Sequence, residues 1–356
     1  MPRRQHIRRT WTTRAFALTT IVAVAATAVF AYNHRGYYRE TRSLIMSEQA
    51  AVDDVPLNKS YTGQNATDLG PYYTMEEYAD QPELSSDEVQ ELTLPWQIPV
   101  AYGTSDHPVA IAQNGLHNYC RYRATGDNRF FDRAKAAADL LANLQYENGS
   151  WTYSFDFRDL EAGWTSAMAQ GQAMSLLLRV NQESPNPRYI EAADASYRYM
   201  MQPVGDGGTL DHYGDGAPIL EEYPNSSYSP YTLNGSIFAL WGLWDYALVR
   251  QDTSAAAAFD QLSAALADHL SLYDTGSWSL YSLSEEHNHL APDIYHNLHI
   301  VQLRAMGELT GDKRWTVMAG RWNSYREAKA NPVSIWWEAV RRRVGVLVQR
   351  SRPVYD

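Results

Sequence analysis

A repeated loop-to-helix entry restricts the fold of this chain more than any other feature of its sequence. The entry occurs at Gly126–Phe130, Asn186–Tyr189 and Gly311–Trp315, and each time an arginine and an aromatic residue precede an apolar-periodic helix. Each entry also follows another amphipathic stretch, which makes the repeating unit a pair of helices. A fourth pair is indicated by Tyr231–Arg250 followed by Ser254–Leu272.

Helix pairs that repeat along a chain stack on their neighbours, because a single pair cannot bury its apolar face alone. Four pairs that curl around one centre form an α/α toroid or a partial barrel, with the first helix of each pair on the inside. Segments with the alternation of a short strand, at Gly149–Tyr153 and Gly276–Tyr281, add β-hairpin or strand insertions. The sequence therefore predicts an all-α domain whose inner helix ends line a cleft, with a plain bundle or solenoid as the alternative.

The N-terminus carries a membrane-targeting pattern. A basic stub, residues 1–14, precedes an uncharged apolar run from Ala15 to Tyr32. As a helix this run is about 27 Å long, just enough for the hydrocarbon core of a bilayer. More arginines precede the run than follow it, which predicts a cytoplasmic N-terminus and a catalytic domain on the outer or lumenal side. We predict a single-pass transmembrane anchor at 15–32; a cleaved signal peptide and a secreted protein are the alternative.

The remaining boundaries follow from changes in composition. Residues 33–94 are polar and acidic without a sustained apolar period, which is typical of a solvated tether or of a strap lying over the domain. We predict that the catalytic domain occupies residues 95–330. A basic tail follows at 331–356.

Charge and composition exclude several classes of function. The net charge of −11 argues against a nucleic-acid binder, because no basic stripe is available to displace counterions from phosphates. An anionic substrate would also need local cations in the cleft. Cys120 is the only cysteine, and His296 and His299 lack the spacing and the companion glutamate of a zinc motif. We predict no metal and no organic cofactor.

Candidate chemistry concentrates in the segment Ile219–Tyr246. Its Glu221–Tyr223 triplet stands in a proline-bounded loop ahead of an apolar helix, a position where catalytic groups are often held. Further along, Tyr281 lies on a predicted strand, while Tyr295 and His299 share one helical face at i and i+4. Solvated loop carboxylates and a buried Tyr/His pair are the structural alternatives.

Several blocks of this chain resemble the C-terminal domain of the D-glucuronyl C5-epimerases, in consistent order from Val100 to Tyr325. The blocks are Pro108–Leu116, Gly163–Ala173, Glu221–Pro224, Leu233–Asp245, Ser279–Tyr281 and Tyr295–Leu303. The resemblance implies an incomplete α/α toroid of about four helical hairpins. It also implies a reaction, the C5 epimerisation of D-glucuronate to L-iduronate residues within a polysaccharide such as a heparosan-like polymer.

In this family a glutamate and three tyrosines surround the reacting uronate. The matching residues here are Glu222, Tyr223, Tyr281 and Tyr295. The chain departs from the vertebrate-type pattern after the strand tyrosine, where Ser284 and Glu285 stand in place of an Arg-His pair. This departure bears on the identity of the polymer more than on the type of reaction.

Inversion at C5 requires that a proton leaves one face of the sugar ring and another arrives on the opposite face, so two acid/base groups are needed. We assign Tyr223 with Glu222 to one face and Tyr295 to the other, and expect Tyr281 to hydrogen-bond the ring or the carboxylate. The expected substrate-binding residues are Trp164, Gln170, Asn234, His296, His299 and Arg158. The two histidines and the arginine are the candidate cations for the substrate carboxylate.

Three other functions fit parts of the same pattern. A polysaccharide lyase forms the same C5 carbanion and then expels the C4 substituent. A glycosidase would need a second carboxylate, for which Asp211 or Asp215 could pair with Glu222. A membrane-anchored polysaccharide-binding or assembly protein would use the tyrosines only for stacking. The expected partner is an anionic glucuronate-containing polysaccharide, and a homodimer is possible.

Overall fold

A computed structural model describes residues 67–70, 72–73, 98–100, 103–105, 107–157, 159–225, 227–283 and 290–327. Within these residues the chain is mostly helical, with eight α-helices. They are α1 (Pro108–Thr125), α2 (Asn128–Leu144), α3 (Ala167–Glu183), α4 (Pro187–Met200), α5 (Leu233–Arg250), α6 (Thr253–His269), α7 (Asp293–Thr310) and α8 (Lys313–Glu327). Each odd-numbered helix packs on the helix that follows it, in agreement with the predicted helix pairs.

The repeated entry motif is a set of helix caps. The side chains of Asp127, Asn186 and Asp312 accept hydrogen bonds from backbone N–H groups at the starts of α2, α4 and α8, at 2.9–3.1 Å. Gly126 and Gly311 end the preceding helices in the left-handed conformation, with φ of 71° and 70°. These local signals fix where each first helix stops and each second helix begins, because capping satisfies backbone groups that would otherwise lack partners.

The odd-numbered helices form the interior of the domain. α1 packs on α3, α3 on α5 and α5 on α7. Nearly every residue from Ala167 to Val180 in α3, and from Leu233 to Leu243 in α5, is buried. The even-numbered α2 and α4 instead bury one stripe and expose the other, as expected for helices on the outside.

α3 and α5 approach each other closely at two glycines. A Cβ added at Gly171 would lie 2.6 Å from Cα of Ala239, and one added at Gly242 would collide with the backbone of Gly171. Towards the C-terminal ends of the two helices, Arg179 and Asp245 form a fully buried ion pair with an N···O distance of 2.5 Å. The two inner helices are therefore joined by backbone contact and by a buried ion pair.

Part of the predicted tether or strap, residues 67–70 and 72–73, packs against this ion pair. Arg179 donates from Nε to the carbonyl oxygen of Gly70 at 2.9 Å, and Leu69 is fully buried. Tyr72 is 1% exposed, and its ring meets that of Trp241 edge-on at 5.7 Å. These residues form a strap docked on the inner helices.

The β-structure of the described residues is limited to short pieces. β1 (Ile98–Val100) pairs with β2 (Gly103–Ser105), and β3 (Leu210–His212) pairs with β4 (Pro218–Leu220), both antiparallel. The two segments predicted as strands from their alternation contain only isolated bridges, such as Thr152 with Thr165 and Leu280 with Leu290. They are correctly located insertions, but too short to count as strands.

No helix among the described residues is both long enough and apolar enough to cross a membrane. The predicted span at 15–32, the stub at 1–14, the basic tail at 331–356 and most of the 33–94 segment lie outside the described residues.

The buried ion pair gives the first testable prediction. Arg179→Met should lower the free energy of unfolding by about 3–5 kcal/mol, because it leaves the Asp245 carboxylate buried without its partner. The matched control is Arg250→Met, which breaks the partly exposed pair between Arg250 and Asp194 and should cost less than about 1 kcal/mol. Denaturant unfolding followed by circular dichroism measures both. Equal losses for the two variants would contradict the role given to the buried pair.

Candidate active site

The four predicted catalytic residues meet at the N-terminal ends of the inner helices. The chain reaches this place along β4. The next residue, Glu221, is fixed by two main-chain hydrogen bonds. Its N–H donates to the carbonyl oxygen of Thr209 at 2.8 Å, and its own carbonyl accepts from the N–H of Ala167, the first residue of α3, at 2.9 Å. The positions of Glu222 and Tyr223 therefore follow directly from the β4–α3 contact.

Glu222 lies against the first turn of α5 and is 6% exposed. A Cβ added at Gly235 would collide with both the carboxylate and the Cβ of Glu222. The glycine of the Leu-Asn-Gly block therefore has a steric explanation, since a larger residue there would displace the glutamate.

The three tyrosines form a connected group. The hydroxyls of Tyr223 and Tyr281 are 3.2 Å apart, and the rings of Tyr281 and Tyr295 meet edge-on with their centroids 4.9 Å apart. Tyr295 comes from the first turn of α7. The carbonyl of Tyr281 accepts from the N–H of Leu233 at 3.2 Å, which ties its backbone to the start of α5. The structure thus brings together side chains from three separate parts of the sequence.

The surroundings of Tyr223 favour its neutral form. Burial raises the pKa of Tyr223 well above its ordinary value, and the neighbouring Glu222 carboxylate raises it further. A phenol in this setting rests as a proton donor. For it to act as a base, its proton must pass to another group, and Glu222 is adjacent.

An aromatic wall continues from Tyr223 along the loop between α2 and α3. The ring of Trp164 stacks on Tyr153, with centroids 3.8 Å apart and planes within 4° of parallel. Phe157 stacks on Tyr223 at 5.4 Å, and Trp164 lies 5.9 Å from Tyr223. Trp164 and Phe157 are both partly exposed. This arrangement suits the apolar face of a sugar ring, and the substrate-binding role expected for Trp164 stays a prediction.

His296 and His299 lie behind the tyrosines and do not supply the expected cations. Both are fully buried, and their Nδ1 atoms lie 2.8 and 3.0 Å from Oγ of Ser279. The His296 ring stacks on Trp278 at 3.7 Å. Burial lowers the pKa of His296 to about 3 and that of His299 well below its ordinary value, so both are neutral at pH 7. They support the segment that carries Tyr281.

Two other expected substrate contacts are enclosed by protein. Gln170 is fully buried; it donates to the carbonyl of Trp151 at 3.4 Å and accepts from Ser196 at 3.1 Å. Asn234 is 1% exposed, and its backbone carbonyl accepts from Gln302 at 2.9 Å. Burial leaves neither side chain accessible to a polymer, so the structure does not support their expected role. Arg158 lies outside the described residues.

Two residues of this region had no role assigned to them from the sequence. His107 caps α1 by accepting from the N–H of Ala110 at 3.2 Å, and its ring meets Tyr153 edge-on at 4.9 Å. Burial lowers its pKa to about 4. The proline that follows His107 is a helix-start signal and could have identified this cap. The other residue is the buried Glu221, whose difference from its neighbour Glu222 depends on tertiary contacts.

A family model described as "D-glucuronyl C5-epimerase C-terminus" matches residues 143–324, about half of the chain. The D-glucuronyl C5-epimerase of Caenorhabditis elegans is 29% identical over 216 residues, which cover 54% of this chain and 35% of that protein. An uncharacterized protein of Methanocaldococcus jannaschii is 26% identical over 184 residues, covering 48% of this chain and 56% of that protein.

Among solved structures, the unsaturated glucuronyl hydrolase of Bacillus sp. GL1 is similar at 12% identity with a TM-score of 0.43, over 61% of each chain. The chain spans between about a third and just over half of the length of the two sequence relatives. The matched region contains the Glu222–Tyr223 segment together with Tyr281 and Tyr295. This chain belongs to the D-glucuronyl C5-epimerase family, through the C-terminal domain of that family.

Proposed function

We propose that this protein inverts C5 of D-glucuronate residues within a polysaccharide, giving L-iduronate, without an organic cofactor. The observation that carries the proposal is the grouping of Glu222 with three tyrosines at one end of the inner helices. The family match supports the reaction type.

The geometry supports proton exchange on two sides of a bound sugar. The Tyr223 hydroxyl is within hydrogen-bond distance of the Tyr281 hydroxyl, and Tyr295 lies across the Tyr281 ring. We assign Tyr223 with Glu222 to one face of the sugar ring and Tyr295 to the other. One group takes the C5 proton, the electron pair passes into the carboxylate, and the opposite group returns a proton to C5. No bond of the sugar skeleton is broken.

Glu222 has a defined part in this scheme. Because the pKa of Tyr223 is raised, a free phenolate is costly, so the phenolic proton has to pass to a neighbour as the Tyr223 oxygen accepts the proton from C5. The Glu222 carboxylate can take that proton as Tyr223 removes the one from C5, and it can return it afterwards. Hydrogen bonds from the phenol hydroxyls, with Tyr281 in the middle, would stabilise the charge that develops on the substrate carboxylate. Arg158 stays the predicted cation for that carboxylate.

The wider architecture fits a polymer substrate. We infer that the row α1–α3–α5–α7 is the inner layer of an incomplete α/α toroid, with α2, α4, α6 and α8 outside it. The aromatic wall that begins at Trp164 would hold sugar residues next to the reacting one. The anchor at 15–32 stays a prediction; it would place this cleft on the outer or lumenal side of a membrane.

Isotope exchange tests the reaction directly. Incubation with a glucuronate-containing polymer in deuterated water should place deuterium at C5 of uronate residues, because the returning proton comes from an exchangeable group. NMR and mass spectrometry measure this, and the ultraviolet absorbance of an unsaturated uronate should not appear. Such absorbance would move the assignment to a lyase, and binding without exchange would indicate a non-catalytic protein.

Removing single hydroxyls separates catalysis from stacking. Tyr223→Phe and Tyr295→Phe should each lower kcat by about 10²–10⁴-fold, the usual contribution of a positioned acid or base, while leaving polymer binding mostly intact. Tyr281→Phe should lose less, and Glu222→Gln should match the two severe variants. The control is Tyr246→Phe in the last turns of α5, which should be nearly silent. If Tyr223→Phe and Tyr295→Phe both stay within a few-fold of wild type, the two-face assignment fails.

The glycine beneath Glu222 offers a test that removes none of the proposed catalytic side chains. Gly235→Ala should lower kcat towards the level of Glu222→Gln, because the new Cβ forces the carboxylate away from Tyr223. The matched control is Gly320→Ala in α8, where an added Cβ meets nothing within 4 Å and activity should not change. Circular dichroism checks that both variants are folded. Wild-type kcat in folded Gly235→Ala would show that the position of Glu222 is not critical.

A further inference from the structure

Glu221 immediately precedes Glu222, yet its side chain points into the protein and takes no part in the proposed chemistry. It is fully buried, and its Oε1 accepts from the backbone N–H of Tyr231 at 2.7 Å. Its main chain bonds to Thr209 and to Ala167. One residue therefore joins the end of the β3–β4 hairpin, the start of α3 and the turn before α5.

The turn held by this carboxyl has an unusual backbone. Tyr231 has a φ of +52°, in the left-handed region that residues other than glycine rarely adopt. Two side chains hold its peptide groups: Glu221 accepts from its N–H, and the Tyr273 hydroxyl donates to its carbonyl at 2.8 Å. Strained conformations of this kind persist where surrounding contacts over-determine them, and they concentrate at functional sites.

The same turn determines the position of Tyr281. On one side of Tyr231, the carbonyl of Pro230 accepts from the N–H of Leu283 at 3.0 Å. On the other side, the N–H of Leu233 donates to the carbonyl of Tyr281 at 3.2 Å. The backbone of residues 281–283 is thus hydrogen-bonded to the turn. The conformation of the turn therefore determines the position of the Tyr281 Cα atom.

Glu221 is therefore connected to both Tyr223 and Tyr281, the two tyrosines whose hydroxyls lie within hydrogen-bond distance of each other. Its own backbone continues into Glu222 and Tyr223, while its carboxyl holds the turn that fixes Tyr281. The hydroxyls of Tyr223 and Tyr281 are 3.2 Å apart. We propose that Glu221 is a positioning residue that sets this distance through the Tyr231 turn, an inference that rests on the proposed function of the site.

The electrostatic environment agrees with a structural use of the carboxyl. Burial raises the pKa of Glu221 well above its ordinary value, while the Tyr231 N–H lowers it and the charges of Asp211 and Glu222 raise it. Burial therefore favours the protonated, neutral form of this carboxyl. Glutamine is then its close equivalent, because it is neutral, similar in shape and able to accept from the Tyr231 N–H through its amide oxygen. Glu221 and Glu222 should respond oppositely to the same substitution.

Three substitutions at one position test the inference. Glu221→Gln should keep kcat within about 3-fold of wild type. Glu221→Asp keeps the acid but shortens its reach to the Tyr231 N–H, and Glu221→Leu removes the acceptor. We expect kcat to fall in the order Gln, Asp, Leu, by up to about 10²-fold, the loss typical of a misplacement near 1 Å. KM should change little, because the aromatic wall is untouched.

Near-ultraviolet circular dichroism of the aromatic residues supplies a readout that does not require activity. The spectrum should match wild type for Glu221→Gln and differ for Glu221→Asp, with Gly320→Ala as a control that leaves it unchanged. If wild type shows no deuterium exchange, the proposed function fails and this spectrum still tests the positioning role. A loss of kcat in Glu221→Gln as large as in Glu222→Gln would overturn the inference. Wild-type kcat and a wild-type spectrum in Glu221→Asp would also overturn it. If Glu221→Leu does not fold, the Gln and Asp variants decide the test.

Discussion

The contact between α3 and α5 is the constraint on which the rest of the structure depends. The backbones touch at Gly171 and Gly242, which places the two helices at a distance that no larger side chain would allow. At the C-terminal end of this contact, the buried pair of Arg179 and Asp245 holds the strap. At the N-terminal end, the first N–H of α3 donates to the carbonyl of Glu221, and Glu222 lies against the first turn of α5. The positions of the candidate catalytic residues on Glu221–Tyr223 therefore depend on the packing of these two helices.

The adjacent glutamates show how the same side chain serves two purposes. Glu221 is buried, its pKa is raised, and it accepts one backbone hydrogen bond. Glu222 lies beside Tyr223 and raises the pKa of that tyrosine. The two carboxyls have different surroundings, because Glu221 accepts from the N–H of Tyr231 and Glu222 lies against the first turn of α5. The chain thus uses one carboxyl to hold the scaffold and the next one for the proposed proton transfer.

The helix pairs could be predicted from the sequence because their signals are local. Asp127, Asn186 and Asp312 cap helices within their own neighbourhood, and the apolar period between the caps is visible without any tertiary knowledge. The catalytic candidates came from the family resemblance, which identified residues that lie far apart along the chain. The predictions that were wrong concerned side chains whose burial depends on tertiary contacts. His299 shares a helical face with Tyr295, but nothing in the sequence shows that Ser279 and a tryptophan-lined core receive it.

A strap was one of the two alternatives predicted for the acidic segment, but the residues by which it docks could not be identified from the sequence. Leu69 and Tyr72 lie in an acidic segment without a sustained period, and their burial depends on Arg179, more than a hundred residues away in the chain. Isolated apolar residues of this kind carry no pattern. The contact between Glu221 and Tyr231 could not be predicted for the same reason, because the positive φ of Tyr231 is not visible in the sequence.

The central claim is that two different groups exchange protons on opposite faces of the uronate. Its most direct test is the distribution of deuterium at early times in deuterated water, measured separately in the product and in the unreacted substrate. A two-face mechanism places deuterium in the product iduronate first, because the group that abstracts the proton returns that same proton whenever the substrate reverts. Deuterium should then be nearly absent from the recovered glucuronate. Transfer of the substrate's own proton into the product would show a single group acting on both faces, and would contradict the account.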